Sequence, residues 1–200
     1  MSGKYLSVQF ILFPLLALLL FNSCSQAAKK KHILIIQSYE SSFPAYKEMK
    51  KILAARLQEK DIQAEVYSYY LDCEQNLEKK QKINLFGKLN ELCPWKPDII
   101  LTFDDQALNI LLSCSHPCIA TIPVVFTGVN YPNASFIQKY PNITGFHDKP
   151  DYKTNIKLIE QLIGKCIVVR VTDGEYIDQL ILKDMNADQK HLQNERPLLT

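Results

Sequence analysis

Ile33-Leu34-Ile35-Ile36, preceded by Lys29-Lys30-Lys31-His32 and followed by Gln37-Ser38-Tyr39-Glu40-Ser41-Ser42-Phe43-Pro44, decides the fold. A continuous apolar run without alternation is the pattern of a strand buried on both faces, as in a parallel sheet. A parallel strand needs a crossover before the next one, and the sequence supplies it. Pro44 suits the first turn of a helix, and Met49, Ile52, Leu53 and Leu57 recur at helical spacing up to Lys60-Asp61.

The same unit then repeats. Ala64-Glu65-Val66-Tyr67-Ser68-Tyr69 alternates as a second strand, and Ile83, Leu85, Phe86, Leu89 and Leu92 mark a helix that Cys93-Pro94-Trp95-Lys96-Pro97 stops. Asp98 to Phe103 is a third strand, Asp104 is placed to cap a helix through Leu112, and Ile122-Pro123-Val124-Val125-Phe126 is a fourth strand. The order β-α-β-α-β-α-β predicts an α/β fold: a doubly wound parallel sheet with helices on both faces.

Residues 32–128 form the expected first α/β lobe. From 129 to 150 the composition turns to Asn, Pro, Tyr and Gly, with only Ile143-Thr144-Gly145-Phe146 able to extend, and this reads as a crossing between lobes. Asp151 to Leu162 is helical in spacing, Ile167 to Val171 is a buried-type strand ending at Thr172-Asp173-Gly174, and Tyr176 to Met185 is helical again. Residues 151–186 are thus the start of a second α/β lobe, incomplete, before a polar tail at 187–200. The ending reads as that of a fragment of a longer reading frame.

Residues 1–28 set the compartment. Lys4 precedes an apolar stretch from Leu6 to Phe21, interrupted by Pro14 and shorter than the ~20 residues of a comfortable membrane span. This is an export signal. Cys24, between Ser23 and Ser25, stands where a bacterial lipoprotein carries its acylated cysteine; ordinary cleavage near Ala27 or Ala28 is the alternative, and a signal anchor a third. In each case the remainder is exported, either periplasmic or held at the membrane facing the periplasm.

Composition removes other classes. Twenty-three basic residues against 21 acidic ones leave a formal charge of +2, too little to attract nucleic acid. Beyond Cys24 lie Cys73, Cys93, Cys114, Cys118 and Cys166, with no CxxC pair and no zinc-ligand histidine spacing apart from His116, so no metal is expected. Free buried thiols are the expected state, and Cys114 with Cys118 is the nearest pair should a disulfide form. GxSxG, GxxxxGK, HExxH and GxGxxG are all absent, which argues against an enzyme and against a cofactor.

Ligands of open parallel sheets sit beyond the carboxyl ends of the strands. That rule selects three loops: 37–42 after the first strand, with Ser38 and Tyr39; 103–106 after the third, with Asp104 and Asp105; and 127–131 after the fourth, with Gly128 and Asn130. Each residue also has a structural role open to it. Asp104 can cap a helix, Gly128 can supply a positive backbone angle, and Tyr39 can pack on the core edge. Their convergence on one rim carries more weight than any one of them.

Several segments resemble the ABC-transporter substrate-binding-like family: Ile33 to Ser38, Tyr70-Leu71-Asp72-Cys73-Glu74, Lys96 to Leu101, Ile122 to Pro132, Gly145 to Lys149 and Val171 to Gly174. The nearest likeness is to the extracytoplasmic sensor region of hybrid sensor histidine kinases of gut Bacteroidetes. The resemblance implies a type I periplasmic-binding-protein-like first lobe and a second lobe closing on a small molecule. Its cleft positions map here to Ser38, Tyr39, Asp104, Asp105, Gly128 and Asn130 from the first lobe, and Asp173 and Tyr176 from the second. The expected function is small-molecule sensing ahead of a two-component kinase. The alternatives are a transporter's substrate-binding lipoprotein and an exported hydrolase using Asp104 or Asp105.

Overall fold

The computed structural model of the protein describes residues 29–167, 169–172, 174 and 176–192. The expected leader at 1–28, with Cys24, lies outside these residues, as does Asp173. Among them no helix is long and apolar enough to cross a membrane.

Five strands, β1 (Lys31–Gln37), β2 (Ala64–Tyr70), β3 (Ile99–Phe103), β4 (Val124–Val129) and β5 (Ile143–His147), form one sheet in the order β2-β1-β3-β4-β5. Every pairing is parallel. The helices are α1 (Pro44–Glu59), α2 (Glu78–Leu92), α3 (Asp105–Ser113), α4 (Ala134–Ile137), α5 (Tyr152–Ile163) and α6 (Tyr176–Leu192). The doubly wound α/β expectation therefore holds.

The period of two along β1 sends its side chains to two different layers. Leu34 and Ile36 join a buried cluster with Leu85 and Leu89 of α2, Leu108 and Leu111 of α3, and Ile100, Val124 and Phe126 of the sheet. Fully burying each such side chain contributes roughly 1.5–3 kcal/mol, which makes this layer the main source of stability. Along α2 the buried positions are Gln81, Leu85, Leu89 and Leu92, whereas Ile83 and Phe86, also expected on the helix, are exposed. On the opposite layer Tyr46 is the one buried residue of α1. Leu53 and Leu57 face Ala64, Val66 and Ser68 of the edge strand across a cavity of about 600 Å³.

Four sequence expectations change. Within the 129–150 segment, the short stretch at 143–146 that could extend becomes a full strand, β5, added beside β4. An outer strand needs only one neighbour and one covered face, so it carries a weaker apolar signal. The strand expected at 167–171 does not form among its described residues beyond a single bridge at Val169. Ile167, Val169 and Val171 are exposed, Val171 to 93%. An apolar run makes a buried strand only where something covers it. Residues 187–192, read as part of a polar tail, continue helix α6, since no glycine or proline stops it there.

The fourth change concerns the cysteines. Cys93 is bonded to Cys118, not Cys114 to Cys118; Cys114 is free and buried, and Cys73 and Cys166 are also free. Cys93 lies just before β3 and Cys118 just before β4, and these strands are neighbours. Their lead-in turns therefore run side by side, which places two sulfurs distant in sequence at one edge.

Candidate functional site

The chain order folds β2 to one side of β1 and β3 to the other, so the sheet switches direction between β1 and β3. That is where open α/β sheets form a crevice at their carboxyl edge. Ser38 leaves β1 at this point and Asp104 leaves β3.

Ser38 is fully buried, and its hydroxyl is used twice. It donates to Phe103 O at 3.0 Å and accepts from the amide of Ala107 at 2.9 Å. The free amide in the first turn of α3 is thus satisfied from another loop, and Asp104 makes no capping bond with its side chain. The expected Asp104 cap is corrected on this point.

Asp104 instead holds φ 74° and ψ 166°, a backbone region that side chains other than glycine rarely enter. Its carboxylate accepts from the Tyr46 hydroxyl at 2.7 Å. The same hydroxyl accepts the Tyr39 amide at 3.1 Å, so one buried tyrosine of α1 connects the loops after β1 and β3. Sequence reasoning missed Tyr46. The signal was present, because 46, 49, 53 and 57 form one helical stripe.

Gly128 completes this corner. It has φ 68°, and a Cβ there would lie 3.1 Å from Asp104 Oδ1. A side chain would be strained by its backbone and would also press on the carboxylate.

Asp105 has a different task. It is buried and accepts the amide of Asn130 with both oxygens at 3.1 Å and that of Tyr131 at 2.7 Å. This binds the loop after β4 to the start of α3. Asp105→Ala is expected to lower stability by about 2 kcal/mol, because two part-buried amides lose a charged acceptor and only partly rehydrate. A urea unfolding curve measures it; an unchanged midpoint would remove this role.

Burial is the first cause of the electrostatics here. It raises the carboxyl of Asp104, with the negative charge of Asp105 adding and the Tyr46 hydrogen bond opposing. The Tyr39 phenol is raised to about 12 by burial, then by Cys73, Asp104 and Glu74. A carboxyl raised in the fold favours the folded state when protonated; that benefit is full below the ordinary value of 3.8 and is lost as pH rises through the folded value. Asp104→Asn should therefore be more stable than the parent chain at pH 7, and the gap should close as pH falls through the raised folded value and be fully closed by about 3.8. Thermal unfolding across this window measures it. A gap that widens toward acid would contradict the sign.

Two cavities flank the corner along the carboxyl edge. One, of about 380 Å³, lies between Tyr39, the loop after β2 and the first turns of α3, with Ile177 of α6 at its side. The other, of about 400 Å³, is lined by Asn130, Tyr131, His147 and Asp184 among others. Here Asn130 O meets His147 Nε2 at 2.8 Å, and the Tyr131 and Tyr152 hydroxyls lie 3.1 Å apart. Ser38, Tyr39, Asp104, Asp105, Gly128 and Asn130 all lie in the loops at the carboxyl edge of β1, β3 and β4. Tyr176 opens helix α6, and Ile177, the next residue, reaches the rim.

The cysteine pair belongs to the opposite, amino-terminal edge. Cys93, Cys118 and the buried His116 have ligand atoms within 4.8 Å of one another, with the two sulfurs joined. His116 Nε2 faces Asn90 Oδ1 at 3.0 Å, and burial lowers the pKa of the ring.

Two solved structures share this five-stranded parallel α/β architecture. One is a conserved domain protein from Vibrio cholerae, with TM-score 0.60 and 20% identity over 81% of this chain and 55% of that one. The other is a substrate binding protein with adhesive properties from Clostridium difficile, in its ligand-free, open form, with TM-score 0.57 and 14% identity over 84% of this chain and 56% of that one. The likeness at these identities is one of fold, and the chain spans a little over half the length of either. No family model and no curated protein matches the chain.

Proposed function

We propose that the chain is an extracytoplasmic small-molecule-binding domain, with its ligand on the carboxyl rim of β1, β3 and β4. The observation that carries this reading is Asp104. It combines a backbone angle costly for a side chain, a desolvated carboxyl and no capping bond, so it burdens the fold in two ways at the sheet's switch point. Strain and desolvation gathered on one rim residue mark it as a group directed at a ligand. Binding is favoured over hydrolysis because Asp105 is committed to two loop amides and so does not form a second free carboxylate beside Asp104, whose own partner is the buried Tyr46 hydroxyl.

Export rests on the amino-terminal pattern of Lys4, Leu6 to Phe21 and Cys24. Within this reading we favour the sensor region of a two-component histidine kinase, on the sequence resemblance. A transporter's binding lipoprotein is the second reading, favoured by Cys24. The coding sequence that follows separates them, since a kinase frame downstream would exclude the lipoprotein. The binding claim itself is tested by calorimetric titration of small polar metabolites against the full chain and its Asp104→Asn variant. Affinity that falls in the variant, with the ligand recovered chemically unchanged, is the expected result; turnover lost in the variant would favour hydrolysis.

A further inference from the structure

The amino-terminal edge of the sheet gathers three side chains that no spacing motif announces. Cys93 follows α2 and leads toward β3, while His116 and Cys118 belong to the turn before β4. They meet because β3 and β4 are neighbours. A disulfide needs no imidazole beside it, yet His116 is only 7% exposed and is held by two residues one turn apart on α2. The Phe86 ring meets it edge-on with centroids 4.8 Å apart, and Asn90 Oδ1 lies 3.0 Å from its Nε2.

The contacts of the ring fix which nitrogen is bare. The Cys118 amide reaches Nδ1 at 3.3 Å, and an amide N–H can only donate, so Nδ1 holds a lone pair and Nε2 carries the proton that Asn90 Oδ1 accepts. That lone pair faces sulfur. Nδ1 lies 3.0 Å from Cys118 Sγ and 3.8 Å from Cys93 Sγ. Joined sulfurs have no proton to offer it, and the amide contact is long for a hydrogen bond. An imidazole with one nitrogen bare and the other tied to a neighbouring oxygen is oriented as a metal ligand is.

The spacing suits a cation once the sulfurs are separate. Zinc at about 2.3 Å from sulfur and about 2.0–2.1 Å from nitrogen, in a tetrahedron, sets each nitrogen–sulfur edge at about 3.6 Å. The observed edges of 3.0 and 3.8 Å straddle that length. Only the sulfur–sulfur edge has to open. The Cα atoms, 6.3 Å apart, need not move for this, because each Sγ swings on its own Cβ. Both cysteines are partly exposed while His116 is buried, so a reductant and a metal reach the sulfurs from solvent.

We propose that the chain, once its cross-link is reduced, binds a zinc ion through Cys93 Sγ, Cys118 Sγ and His116 Nδ1, with Asn90 orienting the imidazole. A dithiol reductant delivers two electrons and two protons to the Cys93–Cys118 bond and is itself oxidised to a disulfide. Zinc then displaces the two thiol protons to solvent, forms two zinc–sulfur bonds and takes the His116 lone pair, and water fills the fourth position. The donors are soft, so magnesium, which takes oxygen ligands, is refused. This site lies at the opposite end of the strands from the carboxyl rim and does not depend on what binds there.

The test reduces the full chain with dithiothreitol, removes the reagent without oxygen, and titrates zinc by calorimetry, with cobalt as a coloured stand-in whose charge-transfer absorption reports bonds to thiolate. One zinc per reduced chain is the expected result. The oxidised chain should take up none, and neither should a chain carrying both Cys93→Ala and Cys118→Ala, which keeps Cys73, Cys114 and Cys166. Asn90→Ala should weaken zinc about tenfold, the loss typical when a group that orients a metal-bound imidazole is removed, and His116→Gln should weaken it further, with circular dichroism confirming the fold. Zinc should also return part of the melting temperature lost on reduction, in the parent chain and not in the double variant. The proposal is overturned if the reduced chain binds no zinc, if the oxidised chain or the double variant binds it as tightly, if magnesium binds as well as zinc, or if Asn90→Ala and His116→Gln both leave the affinity unchanged. A reduced chain that unfolds and is not refolded by zinc overturns it as well.

Discussion

Replacing Gly145 by alanine is expected to lower stability by roughly 3 kcal/mol, toward the upper end of overpacking penalties in a closed core. The added Cβ would stand 2.3 Å from the carbonyl oxygen of Phe126 and 2.4 Å from its Cγ. Neither atom can give way cheaply. The carbonyl belongs to the strand paired with Gly145, and the Phe126 ring is buried among Val124, Leu108 and the rest of the main cluster. β5 must therefore move out, and the register between β4 and β5 goes with it. Thr144→Ala, one residue earlier and exposed, should stay within about 0.5 kcal/mol and serves as the control. Equal unfolding midpoints for the Gly145 and Thr144 variants would mean that β5 does not lie against Phe126.

Removing the cross-link should have a similar effect. The Cys93–Cys118 bond closes a loop with a sequence separation of 25, for which chain entropy gives about 3 kcal/mol. Cys93→Ala together with Cys118→Ala, or a dithiol reductant added to the parent chain, should lower the melting temperature by roughly 6–12 °C in a domain of this size. Reductant added to the double variant should do nothing further. A tryptic map should contain a peptide pair joined through Cys93 and Cys118, reduced by dithiol. Recovery of Cys114 joined to Cys118 would overturn the pairing and with it the side-by-side placement of the turns that lead into β3 and β4.

The fold was legible where burial on two faces left a dense apolar signal. Ile33 to Ile36, Ile99 to Leu101 and Val124 to Phe126 are inner strands with neighbours on both sides, and their runs could be read directly. β5 was not legible as a full strand. As an edge it needs few apolar residues, and the 77% exposure of Phe146 shows how little of it is covered. The opposite error occurred at Ile167 to Val171, where an apolar run has no partner strand among the described residues. Composition reports what a segment would bury, and the topology decides whether anything is there to bury it.

The rim was legible as a set of loops, because the carboxyl-edge rule needs only strand order. The roles within it were not. Nothing local distinguishes Asp104 from Asp105, yet one is strained and desolvated and the other clamps two amides, since consecutive residues at a helix start point in different directions. Ser38 does the capping expected of Asp104, a contact between residues 69 apart that no spacing rule reaches. Tyr46 lies on a helix whose apolar stripe was read for packing, and its hydroxyl turned out to join two of the rim loops.

Asp104 also predicts a trade between stability and binding. The substitution that relieves its desolvation at neutral pH is the one expected to weaken the ligand, a pattern common where a site is maintained against the preference of the fold. Gly128 belongs to the same trade, since its bare Cα leaves room for the carboxylate.

Hydrogen exchange of the full chain, with and without a metabolite that raises its melting temperature, tests most directly where a ligand sits. Bound ligand should slow exchange at amides 38–40, 104–107 and 128–131, and the slowing should vanish with Asp104→Asn. Slowing confined to 93–98 and 116–123, at the other end of the strands, would place the ligand on the wrong edge of the sheet and contradict a binding site at the carboxyl rim.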